Sequence, residues 1–201
     1  MTVQQPLAQK RFFDATRKCW HVKILPGEFY ISKAPDEVIS TTLGSCISVT
    51  IFDPVARIGG MNHFMLPSST SGHWAGISAS ARYGNFAMEH MINEAIKAGA
   101  VKSRFVAQVV GGGAMIGNTE DIGRSNAKFA EEYLKVEGIP VKKTDVGLKV
   151  SRRVDFVPST GEMTVRHLAA LTNDTIKQRE QAYTRTLNTQ PIENDVELFN
   201  D

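Results

Sequence analysis

The sequence predicts a protein of the mixed α/β class, in which antiparallel hairpins are combined with at least two helices. Two observations indicate this class. Short apolar runs rich in β-branched residues are separated by turn residues, which is typical of strands. Two longer segments repeat their apolar residues every three to four positions, which is typical of amphipathic helices. The 201 residues, of which 42% are apolar and 22% are charged, suit one folded domain with appendages.

The predicted strands form two groups, one before the first helix and one after it. The first group comprises 28–32, 37–42, 47–52 and 61–66. The second group comprises 105–110, 141–146, 153–157 and 162–167. Each run is short and bounded by turn residues, of which Pro158-Ser159-Thr160-Gly161 is the clearest example.

Two helices are predicted from the spacing of the apolar residues. The first covers about residues 81–98 and is followed by Gly99, a residue type that commonly ends helices. Its buried face is predicted to carry Met88, Met91, Ile92, Ala95 and Ile96. The second covers about residues 126–137, with Ser125 as its N-cap and Gly138 after its end.

Composition argues against several classes of function. The formal net charge of +2 favours no particular partner, and no basic stripe predicts nucleic-acid binding. No apolar run approaches the roughly 20 residues of a transmembrane helix, and no signal peptide leads the chain. We therefore expect no membrane insertion and a cytoplasmic location. In such a reducing compartment, Cys19 and Cys46 are expected to be free thiols.

The most informative segment contains Cys46, which follows a Gly-Ser turn, and His63, which lies in the next apolar run. The turn between them begins with Asp53-Pro54, which suits a type I turn. If the loop has two residues, Cys46 lies directly opposite His63, with Cβ atoms about 4.5–5.5 Å apart. A bulge at 59–60 would instead shift the register by one residue and place the two side chains on opposite faces.

A thiol beside an imidazole is the minimum apparatus for nucleophilic acyl chemistry, because the imidazole can lower the thiol's pKa and move protons. Backbone N–H groups at Gly44 and Ser45 could stabilise the oxyanion that develops on a substrate carbonyl. A third group usually orients the ring. The candidates are the hydroxyls that precede Cys46, namely Ser40, Thr41 and Thr42. The competing interpretation is that Cys46 is a small, buried residue of the strand.

The run at 111–113 follows a strand and consists of glycine, but it lacks the Gly-Lys-Ser/Thr ending of a phosphate-binding loop. We expect these glycines to allow a sharp turn or a close approach of the backbone near the site. No group of His, Cys, Asp and Glu residues has the spacing of metal ligands, and Cys46 with His63 would supply only two. No cofactor and no metal are therefore expected.

Several segments together carry a specific pattern. They are 27–33, Leu43-Gly44-Ser45-Cys46, 53–62, His63-Phe64-Met65-Leu66-Pro67, 82–85, 111–113, 122–126, 145–147 and 152–154. These segments resemble the CheD family of bacterial chemoreceptor glutamine deamidases. The resemblance covers roughly residues 26–168, as a deamidase domain. It leaves 1–25 as an N-terminal extension and 169–201 as a C-terminal extension that is helical or flexible, with an acidic end. It implies a compact β-sandwich of mostly antiparallel or mixed strands flanked by about three helices.

The resemblance also implies an activity, which is the hydrolysis of selected glutamine side-chain amides on methyl-accepting chemotaxis receptors to glutamate and ammonia. The family's nucleophile matches Cys46 and its general base matches His63. Its third catalytic residue, a threonine, matches Ser40, and Thr41 is the alternative. The implied partners are the cytoplasmic domains of the receptors and, in organisms that have one, a CheC-type phosphatase.

Other functions stay open at this point. A non-catalytic chemotaxis adaptor would keep the fold for binding receptors or the phosphatase. A methylesterase would use the same residues on receptor glutamate esters, because the acyl transfer is the same. A peptidase ranks last, because nothing in the sequence indicates subsites for a peptide.

Overall fold

Two mixed β-sheets pack against each other, and helices cover the second of them. The structure is a computed structural model, and it describes residues 10–66, 73–74, 77–114, 119–168 and 174–189. In chain order, the strands are β1 Lys10–Asp14, β2 Cys19–Lys23, β3 Phe29–Ser32, β4 Glu37–Leu43, β5 Ile47–Asp53, β6 Ile58–Asn62, β7 His73–Trp74, β8 Ile77–Ser78, β9 Val106–Gly111, β10 Val141–Val146, β11 Ser151–Val157 and β12 Glu162–Leu168. The helices are α1 Ala79–Lys97, α2 Thr119–Val136 and α3 Asp174–Thr189, and a 3-10 helix spans Lys102–Arg104.

The first sheet has the strand order β1-β2-β4-β11-β12, and the second has the order β10-β9-β5-β6-β3. Strands β2 and β4 are parallel, as are β9 and β10, and the other pairs in these sheets are antiparallel. The chain passes from the first sheet to the second between β4 and β5, at the segment that contains the predicted nucleophile. The predicted α/β sandwich of mixed sheets flanked by helices is confirmed. No helix in the described part of the chain is long and apolar enough to cross a membrane.

Alternation along β5 divides its side chains between two apolar clusters. Ile47, Val49 and Ile51 belong to the cluster that packs the second sheet against α1 and α2. Cys46, one residue before β5, belongs to the cluster between the two sheets, together with Ile39 on β4. The thiol therefore points into the space between the sheets and away from the helices α1 and α2.

The helices differ from their predicted bounds mainly at the start of α2. This helix begins at Thr119, so Ser125 lies inside it and is not the N-cap that the sequence predicts. The reason is a tertiary contact: Gly123 packs against Gly112, and a Cβ on Gly123 would lie 2.6 Å from the Gly112 carbonyl oxygen. Helix α1 agrees with its prediction within about two residues at each end, and Gly99 follows it with a positive φ of 109°.

Parts of both predicted extensions form regular structure. Strands β1 and β2, from the N-terminal extension 1–25, are the outer strands on one side of the first sheet. An ion pair between Arg11 and Glu37, with an N–O distance of 2.8 Å, contributes to holding β1 in place. The C-terminal extension contains α3, and its acidic end after residue 189 lies outside the described residues.

The hairpin between β5 and β6 has a longer loop than the sequence predicts. Asp53 pairs with Ile58, not with Ala56, so the loop has four residues. The reason is that Asp53 Oδ1 accepts hydrogen bonds from the N–H groups of Val55 and Ala56, at 2.9 and 3.1 Å, and Arg57 adopts a positive φ of 53°. The register therefore differs from the predicted one by two residues, a shift that keeps every side chain on its face.

Candidate active site

The turn from Gly44 to Cys46 connects the two sheets, and its three carbonyl groups are each held by another part of the chain. The Gly44 oxygen accepts a hydrogen bond from the Gly113 N–H at 2.7 Å, and the Cys46 oxygen accepts one from the Gly112 N–H at 2.7 Å. The Ser45 oxygen accepts one from Asn126 Nδ2 at 2.9 Å. With their carbonyls held in this way, the peptide groups of the turn have a fixed orientation.

The glycines at 111–113 make these contacts possible, because the two backbones approach closely. A Cβ on Gly113 would lie 2.7 Å from the Gly44 oxygen. A Cβ on Gly111, whose φ is 117°, would lie 2.3 Å from the Cys46 oxygen. Real Cβ contacts are not this short, so side chains at these positions would displace the turn. The predicted close backbone approach near the site is confirmed.

The N–H groups of the same turn all point at one carboxylate, that of Glu180 on α3. The Gly44 N–H donates to Glu180 Oε1 at 2.8 Å, and the Cys46 N–H donates to the same oxygen at 3.1 Å. The Ser45 N–H and hydroxyl donate to Glu180 Oε2 at 2.9 and 2.7 Å. Converging backbone N–H groups of this kind can stabilise a negative oxygen, which is what an oxyanion hole requires. The N–H groups of Gly44 and Ser45, which the sequence predicts as oxyanion donors, are bound to Glu180 in this structure.

His63 lies just after β6 and is held by its backbone and by one ring nitrogen. The backbone N–H of His63 donates to the backbone carbonyl of Glu28 at 2.9 Å. The backbone carbonyl of His63 accepts from the Gly27 N–H at 2.7 Å. Nδ1 of the ring is 2.8 Å from Thr41 Oγ1, across the gap between the sheets. Nε2 is buried and has no hydrogen-bond partner among the residues that the structure describes.

These contacts determine which ring nitrogen of His63 carries the proton when the ring is neutral. The Thr41 hydroxyl has one hydrogen, and it donates this hydrogen to the Ile24 carbonyl at 2.9 Å, because a carbonyl can only accept. Thr41 Oγ1 therefore accepts a hydrogen bond from Nδ1–H of the ring. Nε2 then has a free lone pair, which is the form that a general base needs.

Cys46 and His63 lie on neighbouring strands and face the same space. The pair Ile47–Phe64 is joined by two backbone hydrogen bonds of 2.9 and 3.0 Å, so Cys46 lies opposite Met65. His63 is therefore the diagonal neighbour of Cys46, and not the directly opposite residue that the sequence predicts. Diagonal neighbours have Cα atoms roughly 7–8 Å apart, within reach of an imidazole. The slip by one residue that would have separated the two side chains does not occur.

Burial changes the acidity of both groups. The Cys46 side chain is fully buried, and this burial, followed by the charge of Glu180 and a hydrogen bond to it, raises the pKa of the thiol well above its usual value. Burial also lowers the pKa of His63 to about 4, against an opposing effect of the Glu180 carboxylate. With α3 in place, the pair is therefore a neutral thiol and a neutral imidazole at pH 7.

The hydroxyl that contacts the ring belongs to Thr41, whereas the family resemblance placed the third catalytic residue at Ser40. Both residues lie on β4, and successive side chains of a strand point to opposite faces. Thr41 shares its face with Ile39 and Leu43, which pack between the sheets, so Ser40 faces the other side. The backbone carbonyl of Ser40 accepts a hydrogen bond from the Ile24 N–H at 3.0 Å.

A small cavity lies beside the ring of His63. It has a volume of about 20 Å³ and is lined in part by Thr41, His63 and Glu180. A cavity of this size can hold one water molecule when polar groups are available to bind it. A water there would lie near the ring that is the candidate general base.

Three other histidines in the described part of the chain have contacts of their own. His21 stacks on Phe12 with ring centroids 5.3 Å apart, and His167 Nε2 lies 2.9 Å from Asp145 Oδ2. His90 packs between Phe29 and Phe86 on α1. These contacts are those of packed or paired side chains.

Comparison with known proteins decides the family. The family model described as CheD chemotactic sensory transduction matches residues 65–167. The chain belongs to the CheD family. It is 45% identical over 185 residues to a probable chemoreceptor glutamine deamidase CheD of Bordetella parapertussis, covering 90% of this chain and 86% of that protein. Proteins with the same description from Rhodopseudomonas palustris and Herminiimonas arsenicoxydans are 38% and 41% identical, and the matches cover 98% of this chain and 93% and 97% of those proteins.

Sequence reasoning missed two residues of the site. Asn126 is fully buried, donates to Ser45 and accepts from the Leu66 N–H at 2.8 Å. Its position within 122–126, a segment that carries the CheD resemblance, is the signal that could have found it. Glu180 lies outside the family resemblance, and no motif in the sequence marks it.

Proposed function

We propose that this protein hydrolyses the side-chain amide of selected glutamines on the cytoplasmic domains of chemotaxis receptors, releasing glutamate and ammonia. Membership of the CheD family and the descriptions of its relatives support this substrate class. Cys46 is the nucleophile, His63 is the general base and acid, and Thr41 orients the ring.

The first half of the reaction forms a thioester. His63 Nε2 accepts the proton of the Cys46 thiol, and the sulfur attacks the side-chain carbonyl carbon of the glutamine. The carbonyl oxygen becomes negative and is stabilised by the N–H groups of the turn from Gly44 to Cys46. The protonated ring then donates its proton to the departing nitrogen, so ammonia leaves as the C–N bond breaks and the thioester remains.

The second half hydrolyses the thioester. His63 Nε2 takes a proton from a water molecule, and the resulting hydroxide attacks the thioester carbon. The C–S bond breaks, the proton returns from the ring to the sulfur, and a glutamate side chain is released. The Thr41 hydroxyl accepts from Nδ1–H throughout, so the ring keeps its orientation when it becomes positively charged.

One observation supports this mechanism most directly. Three backbone N–H groups and the Ser45 hydroxyl converge within hydrogen-bonding distance of the oxygens of a Glu side chain, next to Cys46. A buried cysteine whose only role was packing would not need hydrogen-bond donors that converge on one point beside it. The same donors fit the oxygen of a glutamine amide and the oxyanion formed from it.

The test is incubation of the full-length protein with receptor cytoplasmic fragments, with ammonia release and conversion of amide to acid measured by mass spectrometry. We expect Cys46→Ala to abolish both signals. Cys19→Ala is the matched control, because the other cysteine lies on β2, and it should retain activity. Full activity in Cys46→Ala would refute the proposed nucleophile.

The same purified proteins distinguish the two alternative functions, a non-catalytic adaptor and a methylesterase. A non-catalytic adaptor would bind receptor fragments without changing their glutamines, and its binding would be unaffected by Cys46→Ala. A methylesterase would release methanol from methylated receptor glutamates with the same dependence on Cys46. Within our proposal the protein acts in the cytoplasm, and binding to a CheC-type phosphatase, measured with the purified proteins, is the test of that further partner.

A further inference from the structure

Helix α3 closes the proposed active site from outside the two sheets. Cys46 is completely inaccessible to solvent and His63 is only 2% exposed, so a receptor glutamine cannot reach them while α3 stays in place. The helix lies over the turn itself, because a Cβ on Gly44 would be 2.8 Å from a Glu180 carboxylate oxygen.

Contacts on both sides of Glu180 hold α3 in this position. The hydroxyl of Tyr183 is hydrogen-bonded to that of Tyr83 on α1, and the Tyr183 ring packs on Gly27. Thr184 Oγ1 lies 3.2 Å from the sulfur of Met65. One turn before Glu180, the side chain of Ile176 is buried. Helix α3 thus lies in a groove bounded by the segment before β3, the start of α1 and the residues after His63.

The group that α3 places in the site has the chemistry of the proposed product. Deamidation of a glutamine yields a glutamate, and Glu180 is a glutamate whose carboxylate fills the oxyanion donors beside the Cys46 thiol. Its charge also makes ionisation of the thiol less favourable. A side chain carried by a helix thus reaches these donors, at donor–oxygen distances of 2.7–3.1 Å.

We propose that the groove under α3 is the binding site for the substrate helix, and that α3 is an intramolecular competitor that holds Glu180 where the substrate glutamine must enter. This inference rests on the proposed function. It assigns a role to the C-terminal extension: activity requires α3 to leave the groove, and a helix that carries a glutamine takes its place. If the groove is free in about one molecule in ten, the apparent affinity for substrate is lowered about tenfold.

The first test measures release of the cover in the full-length chain. Glu180→Ala removes the carboxylate that anchors α3, and we expect kcat/KM for receptor fragments to rise about tenfold. Alkylation of Cys46 at pH 7, located by peptide mass spectrometry, should accelerate by a similar factor. Gln181→Ala, at an exposed position on the same helix, is the matched control and should change neither rate.

A second variant tests the substrate-like position of the side chain. Glu180→Gln keeps the shape of the side chain but introduces an amide, so the protein should deamidate its own residue 180. We expect mass spectrometry to show gradual conversion of this amide to the acid, and no conversion in the double variant with Cys46→Ala. Persistence of the amide in a protein that deamidates receptor fragments would overturn the substrate-like position.

The outcomes separate this inference from the proposed function. Equal alkylation and equal receptor deamidation in the wild type, Glu180→Ala and Gln181→Ala would show that α3 does not restrict the site, while the proposed function stands. Faster alkylation of Cys46 in Glu180→Ala without any receptor deamidation would refute the proposed function and retain α3 as the cover. Circular dichroism of each variant establishes that the compared proteins are folded.

Discussion

Replacing Thr41 by valine removes one hydroxyl from the site and leaves a side chain of nearly the same shape. In the wild type this hydroxyl makes two buried hydrogen bonds, to His63 Nδ1 at 2.8 Å and to the Ile24 carbonyl at 2.9 Å. In Thr41→Val, Nδ1–H loses its acceptor. The neutral ring can then place its proton on Nε2 instead, where it cannot act as a base.

The expected magnitude follows from the lost ring contact. Leaving a buried donor without an acceptor costs about 1–3 kcal/mol. If this cost is borne in the transition state, where the ring is positively charged, kcat falls about 5- to 150-fold. KM should change little, because Thr41 contacts the ring and not the turn that we propose to bind the substrate oxygen. The unpaired Ile24 carbonyl should lower the free energy of unfolding by a further amount of similar size.

The assay is initial-rate deamidation of receptor fragments over a range of substrate concentrations, with urea unfolding measured in parallel. Ser40→Ala is the matched control, because it removes the neighbouring hydroxyl from the opposite face of β4. Thr41→Ser restores the hydroxyl and should recover most of the lost rate. An unchanged kcat in Thr41→Val together with a large loss in Ser40→Ala would refute the reasoning and make Ser40 the third catalytic residue.

Two further predictions concern charge. Nuclear magnetic resonance titration of the wild type should show a neutral His63 ring down to about pH 4, because burial lowers its pKa from 6.5 to about 4; protonation near pH 6.5 would contradict this. Since the unfolded chain binds this proton at higher pH, His63 should reduce the free energy of unfolding as the pH falls from 6.5 to about 4, with no further loss below that. The carboxylate of Asp53 accepts hydrogen bonds from the N–H groups of its turn, from the Val101 N–H and from the partly exposed Arg104. Asp53→Asn should therefore lower the free energy of unfolding, measured by urea denaturation, by about 2 kcal/mol. The Arg104 guanidinium holds the pKa of Asp53 below its usual 3.8, so this stabilisation is present above pH 3.8 and is lost as the pH falls through the folded-state pKa. Glu94→Gln, in an exposed pair with Lys97, is the control and should change the free energy of unfolding by less than about 1 kcal/mol.

Local sequence patterns predict most of the elements of this fold. Strand β10 matches its predicted bounds, and β4, β5, β9 and β12 differ from theirs by one residue at one or both ends. The sequence predicts the wrong start for α2 because Ser125 is a good N-cap, while the actual start depends on packing of Gly123 against Gly112. Contacts between residues far apart in the chain override local preference there.

The sequence predicts correctly that Cys46 and His63 lie on the same face of the sheet, but it does not predict the register of the two strands. The type I turn signal at Asp53-Pro54 is real, since Asp53 caps the loop, but loop length also depends on Arg57 taking a positive φ. Non-glycine residues rarely adopt that conformation, so the sequence contains no sign of it. The predicted register is wrong by two residues, and a shift of two leaves each side chain on the same face of the sheet. Cys46 and His63 therefore face the same space in both registers.

The turn from Gly44 to Cys46 also shows what a local motif cannot contain. The motif supplies a thiol and small residues, but the direction of its N–H groups depends on what binds its carbonyls. Those partners are Gly112, Gly113 and Asn126, which lie more than sixty residues away in the chain. Folding of the second sheet and α2 therefore aligns the N–H groups of the turn, which we propose as the oxyanion donors. N–H groups aligned in this way can bind a carboxylate from the same chain, and in this structure that carboxylate is Glu180 on α3.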